Sequence, residues 1–281
     1  SSIDTGNNYH NRQSSNGGSD ASSQATYVRL DNGWQSGDRK LAVEYIANKS
    51  DRQKLILNHM VRSVTTGAGQ APQRSEVASK WANTSNVLDK FQMMNGGTYA
   101  DGSEVVVLGW DEDDTHTTNF WEELASVDWS SGGSISSGTF TPKKYLWVQG
   151  WYKNAADTGY LQLRVGNSTV DSGTNYANRY TLNDASDTTE TSNNIILPNV
   201  TNTSASGANG FFNSFIINNA SNEKLVINHH VLRGGSGAGS APDRVECVSK
   251  WANTSNQINI IEMLRNTNNF TAGQIKVWGS D

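Results

Sequence analysis

Three groups of side chains in this sequence have the residue types and spacing to do chemistry. The first is His59, His229 and the adjacent His230, all in apolar runs with strand alternation. With Glu76 or Glu246 they suggest a metal site or an acid–base pair. Neighbouring residues on a strand face opposite sides, so His229 and His230 cannot hold one ion together. The histidines also lie in a repeated stretch, and a packing position is preserved in both copies of a repeat more readily than a catalytic one. The second group is Asp111-Glu112-Asp113-Asp114, followed by Thr115 and His116. Asp111, Asp113 and Asp114 with loop carbonyls are oxygen donors of the kind calcium takes. The spacing is not that of an EF-hand, and a solvated acidic linker is the plain alternative. No other cofactor is implied.

The third group is aromatic. Trp147, Trp151, Tyr152 and Tyr160 cluster around one expected hairpin. Exposed rings there would stack on sugars, whereas alternate members such as Trp147 would otherwise fill the core and the rest a subunit interface. Catalytic signatures are missing: no G-x-S-x-G, C-x-x-C, H-E-x-x-H or phosphate-binding loop occurs. A glycosidase needs two carboxylates across a cleft, and the two copies of the repeat share one acidic position, Glu76 with Glu246. The chain therefore reads as a non-enzyme.

The frame for these residues is a duplication. KLILNHMVRSVTTGAGQAPQRSEVASKWANTSN at Lys54 returns as KLVINHHVLRGGSGAGSAPDRVECVSKWANTSN at Lys224, a gapless offset of 224 − 54 = 170. Leu55, Leu57 and His59 alternate with Ile56, Asn58 and Met60, which is strand periodicity. Gly67-Ala68-Gly69 and Ala71-Pro72 then break the run, as do their copies. After the turn, Arg74, Glu76, Ala78 and Lys80 share one face of a strand, and Ser75, Val77, Ser79 and Trp81 the other. Arg74, Glu76 and Lys80, and their copies Arg244, Glu246 and Lys250, are expected as cross-strand ion pairs on a sheet face, worth a fraction of a kcal/mol each. Trp81 and Trp251 are structural positions of the repeat. Cys247, the one cysteine, aligns with Val77 and reads as a small buried apolar residue.

Taken in order, residues 1–25 have the composition of a loop or tail. Yet Asn8-Tyr9-His10-Asn11-Arg12 matches Asn175-Tyr176-Ala177-Asn178-Arg179 at an offset of 175 − 8 = 167, which would put them inside the first unit. Residues 40–47 read as a strand, and residues 104–109 and 274–279 as closing strands of the two units. Residues 86–94 and 256–264 fit strands, with a short helix as the alternative in the first copy. The linker at 111–141 holds the best helix candidate, residues 120–127. Strands at 145–149 and 160–165 precede the second copy without a counterpart in the first. Three explanations stay open: residues removed ahead of Ser1, a first domain short of strands, or strands supplied by a neighbouring subunit.

Composition narrows the partners. A formal net charge of −5 argues against nucleic acid. No apolar run approaches the roughly 18 residues of a membrane span. Abundant Ser, Thr, Asn and Gly with nine Trp suit an extracellular or particle-surface β protein. The expected fold is all-β: two tandem antiparallel jelly-roll-like β-sandwich domains, at 1–110 and 142–281.

The strings EKLVINHHV, KWANTSNQI, GWDEDDTHTTNFWEELASV, GTFTPKKYLWVQGW and IKVWGS resemble a largely uncharacterised group of structural proteins of tailed phages of aquatic bacteria, over residues 40–280. The resemblance implies a capsid-decorating or tail-associated virion protein at the particle surface. Its partners would be copies of itself and other virion proteins, with host-surface glycans as the alternative. It brings no catalytic residues.

Overall fold

The computed structural model describes residues 2–31, 33, 37–94, 97–109, 119–154, 160–197, 209–232, 239 and 241–281. The described residues are all-β, without helix, and every strand pairing is antiparallel. Five strands come from the first copy of the repeat: β1 (Tyr9–Ser15), β2 (Ala21–Ala25), β3 (Arg39–Ala47), β4 (Lys54–Ser63) and β5 (Gln73–Trp81). Between the copies lie β6 (Glu122–Trp129), β7 (Ser134–Ser136), β8 (Tyr145–Asn154), β9 (Leu161–Asn167) and β10 (Thr169–Val170). The second copy adds β11 (Tyr176–Leu182), β12 (Thr188–Ser192), β13 (Ile195–Leu197), β14 (Asn209–Ile217), β15 (Lys224–Leu232), β16 (Asp243–Trp251), β17 (Ile260–Arg265) and β18 (Phe270–Ser280).

The strands form three sheets, in the orders β2-β1-β5-β4-β3, β12-β11-β16-β15-β14-β8-β18-β6 and β10-β9-β17-β7, with β13 also on β9. The first order reappears inside the second, strand for strand. Trp81 lies opposite both Tyr9 and Lys54, and Trp251 opposite both Tyr176 and Lys224. The offsets are 251 − 81 = 170 for the main repeat and 176 − 9 = 167 for β1, so residues 9–25 belong to the first sheet and are no tail.

The main core lies between the eight-stranded sheet and the β9/β17 sheet. Leu146, Val148, Tyr152, Phe212 and Val226 meet Leu161, Leu163, Ile261 and Met263 there. A smaller cluster of Val61, Leu225, Ile227 and Val248, flanked by Leu41, Val43 and Ile217, joins the first-copy sheet to the opposite face of the eight-stranded sheet. Burial alternates along β8 and β14, while β15 and β16, covered on both faces, are buried almost throughout. Ser75, Val77, Ser79 and Trp81 are buried as a set, and Cys247 sits in the main core with its thiol pushed up to about 12 by burial.

Two sequence expectations fail here for one reason. The helix expected at 120–127 is absent, and from Glu122 the segment is strand: β6 pairs with β18 as a sheet edge whose Glu123 reaches Lys276 at 3.0 Å. Residues 104–109 and 86–94, expected as strands, take no regular conformation. Local pattern does not specify which strand is offered a partner; tertiary pairing does.

Candidate functional site

The first-copy sheet stacks on the eight-stranded sheet through equivalent residues. Glu76 lies opposite His59 in one sheet, and Glu246 opposite His229 in the other. Across the stack, His59 Nδ1 lies 3.2 Å from His229 Nε2, with the rings edge to face at 4.3 Å. Burial pushes His59 below its ordinary value and His229 down to about 4, the latter helped by the neighbouring imidazole. Glu246 acts to raise both and Arg74 to lower them. Both rings are therefore neutral near pH 7, one nitrogen donating and the other accepting.

Arg74 is the hub of this contact. Its guanidinium reaches Asp187 at 2.8 Å and Glu246 at 3.1 Å, and also pairs with Glu76 on its own strand. The expected Arg74–Glu76 pair forms within one strand, and the pairs with Asp187 and Glu246 cross to the second repeat, where the facing sheet buries the Arg74 side chain. Arg244, its counterpart, behaves closer to expectation: it is mostly exposed and pairs with Asp184 at 3.3 Å and Glu246 at 3.7 Å. Burial holds Glu76 above its ordinary value against the pull of Arg74, and the Glu246 charge adds to the rise. Burial also pushes Glu246 upward, but the Glu76 hydrogen bond and the Arg244 and Arg74 charges outweigh it and leave it lowered. The two carboxyls thus share a proton beside a fixed cation. The void among these groups is about 10 Å³, room for one water at most. The cluster ties the first-copy sheet to the eight-stranded sheet through Arg74, Glu246 and the His59–His229 contact.

The candidate aromatics divide by strand parity, the reverse of the expectation that Trp147 fills the core. Tyr152 is the core residue, its hydroxyl 2.8 Å from His230 Nε2. Trp147 points to the opposite face and packs among Phe215 at 5.8 Å, Trp278 at 4.9 Å and Trp121 at 5.8 Å. Trp151 is 45% exposed on that same face, opposite the exposed Phe211 of β14. Tyr160 is half-buried beside the start of β9, its backbone N–H donating to Asn266. Trp147 and Trp151 share the face on which the first-copy sheet sits. The first-copy sheet packs on β15 and β16 through β3 and β4, and Phe215, Trp147 and Trp278 stand side by side across β14, β8 and β18.

Asp111, Asp113 and Asp114 lie outside the described residues, which contain no group of three residues fit to hold a metal ion. Two repeated devices escaped sequence reasoning. Trp81 Nε1 donates to Asp4 at 2.7 Å and Trp251 Nε1 to Asp171 at 2.8 Å. Lys54 Nζ donates to the carbonyls of Arg52 and Asn83, and Lys224 Nζ to those of Ala220, Asn222 and Asn253. Extending the 167 offset back to Asp4 and Asp171 reveals the first; the repeated lysine before each alternating run points to the second.

No family model, curated protein or solved structure matches this chain. Its function is therefore read from its own geometry.

Proposed function

We propose that the chain is a non-enzymatic structural protein of a phage virion, capsid-decorating or tail-associated, working through contacts between subunits at the particle surface. Its repeats are read as tandem jelly-roll-like sandwiches, the second complete and the first open. The observation that carries the assembly reading is the row of Trp147, Phe215 and Trp278 with exposed Trp151 and Phe211, together with an edge strand β3 that has no second partner among the described residues. An exposed aromatic surface and an open sheet edge each favour association over solvation. The phage assignment rests on the sequence resemblance alone.

Native mass spectrometry of the purified chain tests assembly. A discrete oligomer, or a stable complex with virion proteins, that Trp151→Ser weakens at least about tenfold is expected for an aromatic anchor. A monomer that binds no virion protein overturns the reading. Host-glycan binding is the second reading, favoured by the cross-strand pair Trp151 and Phe211, and a glycan array reads it directly.

A further inference from the structure

Strand pairing sets the side chains of one sheet face in lateral rows. On the face that carries Trp147, Val231 of β15 lies opposite Phe211 of β14, Phe211 opposite Trp151 of β8, and Trp151 opposite Gln274 of β18. Val231, Phe211 and Trp151 are 42%, 41% and 45% exposed, an open apolar shelf three strands wide. Two residues along the strands, about 6.7 Å away, Asn213 of β14 lies opposite Gln149 of β8, and Gln149 opposite Lys276 of β18. Two residues further stand Phe215, Trp147 and Trp278. The face is therefore not continuous apolar surface, since half-buried Asn213 and Gln149 separate its aromatic rows.

These two amides are oriented. Trp147 Nε1 donates to Asn213 Oδ1 at 3.1 Å, and Gln149 Nε2 donates to the same oxygen at 2.8 Å. An indole nitrogen can only donate, so it fixes which end of the Asn213 amide it meets. Asn213 Nδ2 and Gln149 Oε1 are left over, donors beside an acceptor, with no partner among the described residues. The charges of this face also cancel. Across β14, β8, β18 and β6 it carries Lys153 and Lys276 against Glu123 and Asp128. Lys276 pairs with Glu123 at 3.0 Å, and Asp128 accepts from Gln274 at 2.7 Å.

We infer that this face binds a neutral pyranose polymer, stacked on Trp151 and Phe211 and held by Asn213 Nδ2 and Gln149 Oε1. A pyranose ring lays apolar C–H groups on an aromatic ring, while the hydroxyls at its rim both donate and accept. It meets the shelf and the amides together, whereas a purely apolar partner would bury the amide groups unpaired. A face whose charges cancel suits an uncharged ligand over an acidic one. Trp147 is a positioning residue here, acting through Asn213. This inference rests on the glycan reading above, which competes with assembly for Trp151, and it names the ligand class and the polar groups that hold it.

The test is native electrophoresis of the full chain through gels that each contain one dissolved polymer: a neutral β-glucan, a neutral galactomannan, dextran or polygalacturonate. Retardation by at least one neutral polymer, and none by polygalacturonate, is expected. Trp151→Ala should raise the Kd for that polymer at least about tenfold, as loss of a stacking anchor does. Gln149→Leu keeps the shelf and removes the acceptor, and should weaken binding about tenfold; adhesion through apolar surface alone would survive it or strengthen. Leu57→Ser, at an exposed apolar residue of the first-copy sheet, should change nothing. Retardation by polygalacturonate alone keeps the glycan reading and overturns this inference. So does binding of a neutral polymer that both Trp151→Ala and Gln149→Leu leave untouched, because the glycan then sits elsewhere. Retardation by none of the polymers overturns the inference, and a blank glycan array beside it removes the reading on which it rests, leaving the aromatic rows to subunit contacts.

Discussion

His59 and His229 are the same residue of the repeat, 229 − 59 = 170 positions apart, and they touch each other with nitrogens 3.2 Å apart. A sequence position recurring in two copies here makes one contact between them. The same holds for Glu76 and Glu246, which flank Arg74. The stacking of the two repeats is therefore written into residues that a reader of either copy alone would assign to a metal or to catalysis.

The pH dependence of stability follows from this cluster and from His230. His229 and His230 fall to about 4 and about 3 in the folded chain through burial, so between those values and 6.5 the unfolded chain binds more protons. Stability therefore rises with pH across that window. Glu76, raised from 4.5 to about 7, acts in the opposite sense: the folded chain holds its proton longer, and this contribution is lost as pH rises through 7. The histidines outnumber the glutamate, so urea midpoints should climb from about pH 4.5 to about pH 6.5 and then dip slightly. Glu76→Gln should steepen the climb and abolish the dip. Midpoints independent of pH over that range would contradict the buried, neutral histidines.

Arg74 and Arg244 occupy one position of the repeat in different surroundings, which predicts different costs of removal. Arg74→Ala leaves Asp187, Glu76 and Glu246 without their shared cation inside the stack and should cost about 3–5 kcal/mol. Arg244→Ala removes an exposed pair and should cost about 1 kcal/mol or less. Chemical denaturation of the two variants measures both; equal losses would mean that the inter-sheet cluster contributes no more than a surface ion pair.

The lysine cages yield a graded expectation. Lys224 donates to three carbonyls and lies 5.5 Å from the Trp251 ring, while Lys54 donates to two and lies 5.5 Å from Trp81. Replacing either by Met keeps the aliphatic stem and orphans the carbonyls, at about 1–3 kcal/mol for each one left unpaired and buried. Lys224→Met should therefore lower the denaturation midpoint more than Lys54→Met. The reverse order would show that the carbonyls find water once the ammonium is gone.

The parts of the fold legible in the sequence are those set by local alternation and by the repeat. Residues 40–47, 145–149 and 160–165 correspond to β3, β8 and β9, and the match at Asn8 to Arg12 places β1. What was not legible is non-local. Residues 104–109 have the composition of a strand, but a strand is completed by hydrogen bonds from a neighbour, and composition does not name one. The helix candidate at 120–127 contributes an edge strand from Glu122 instead, since Glu122, Glu123 and Asp128 lie on a sheet edge where charge is tolerated. Arg74 looked like a surface residue because nothing in its own strand announces Asp187, 187 − 74 = 113 residues away.

Tyr152 and His230 provide the sharpest check of how the core is held. The Tyr152 hydroxyl lies 2.8 Å from His230 Nε2 deep between the sheets, and burial drives the tyrosine upward and the histidine down to about 3. His230 Nδ1 has no hydrogen-bond partner among the described residues, so the imidazole depends on this one bond for its polar satisfaction. Tyr152→Phe keeps the ring and leaves a buried nitrogen unpaired, which should cost about 1–3 kcal/mol. Adding His230→Leu removes the orphaned acceptor, and the double variant should regain most of that loss, because an apolar pair of similar shape has nothing left to satisfy. Urea denaturation of the four proteins in the cycle reads the coupling. Additive losses would mean that the hydroxyl and the imidazole are each satisfied elsewhere.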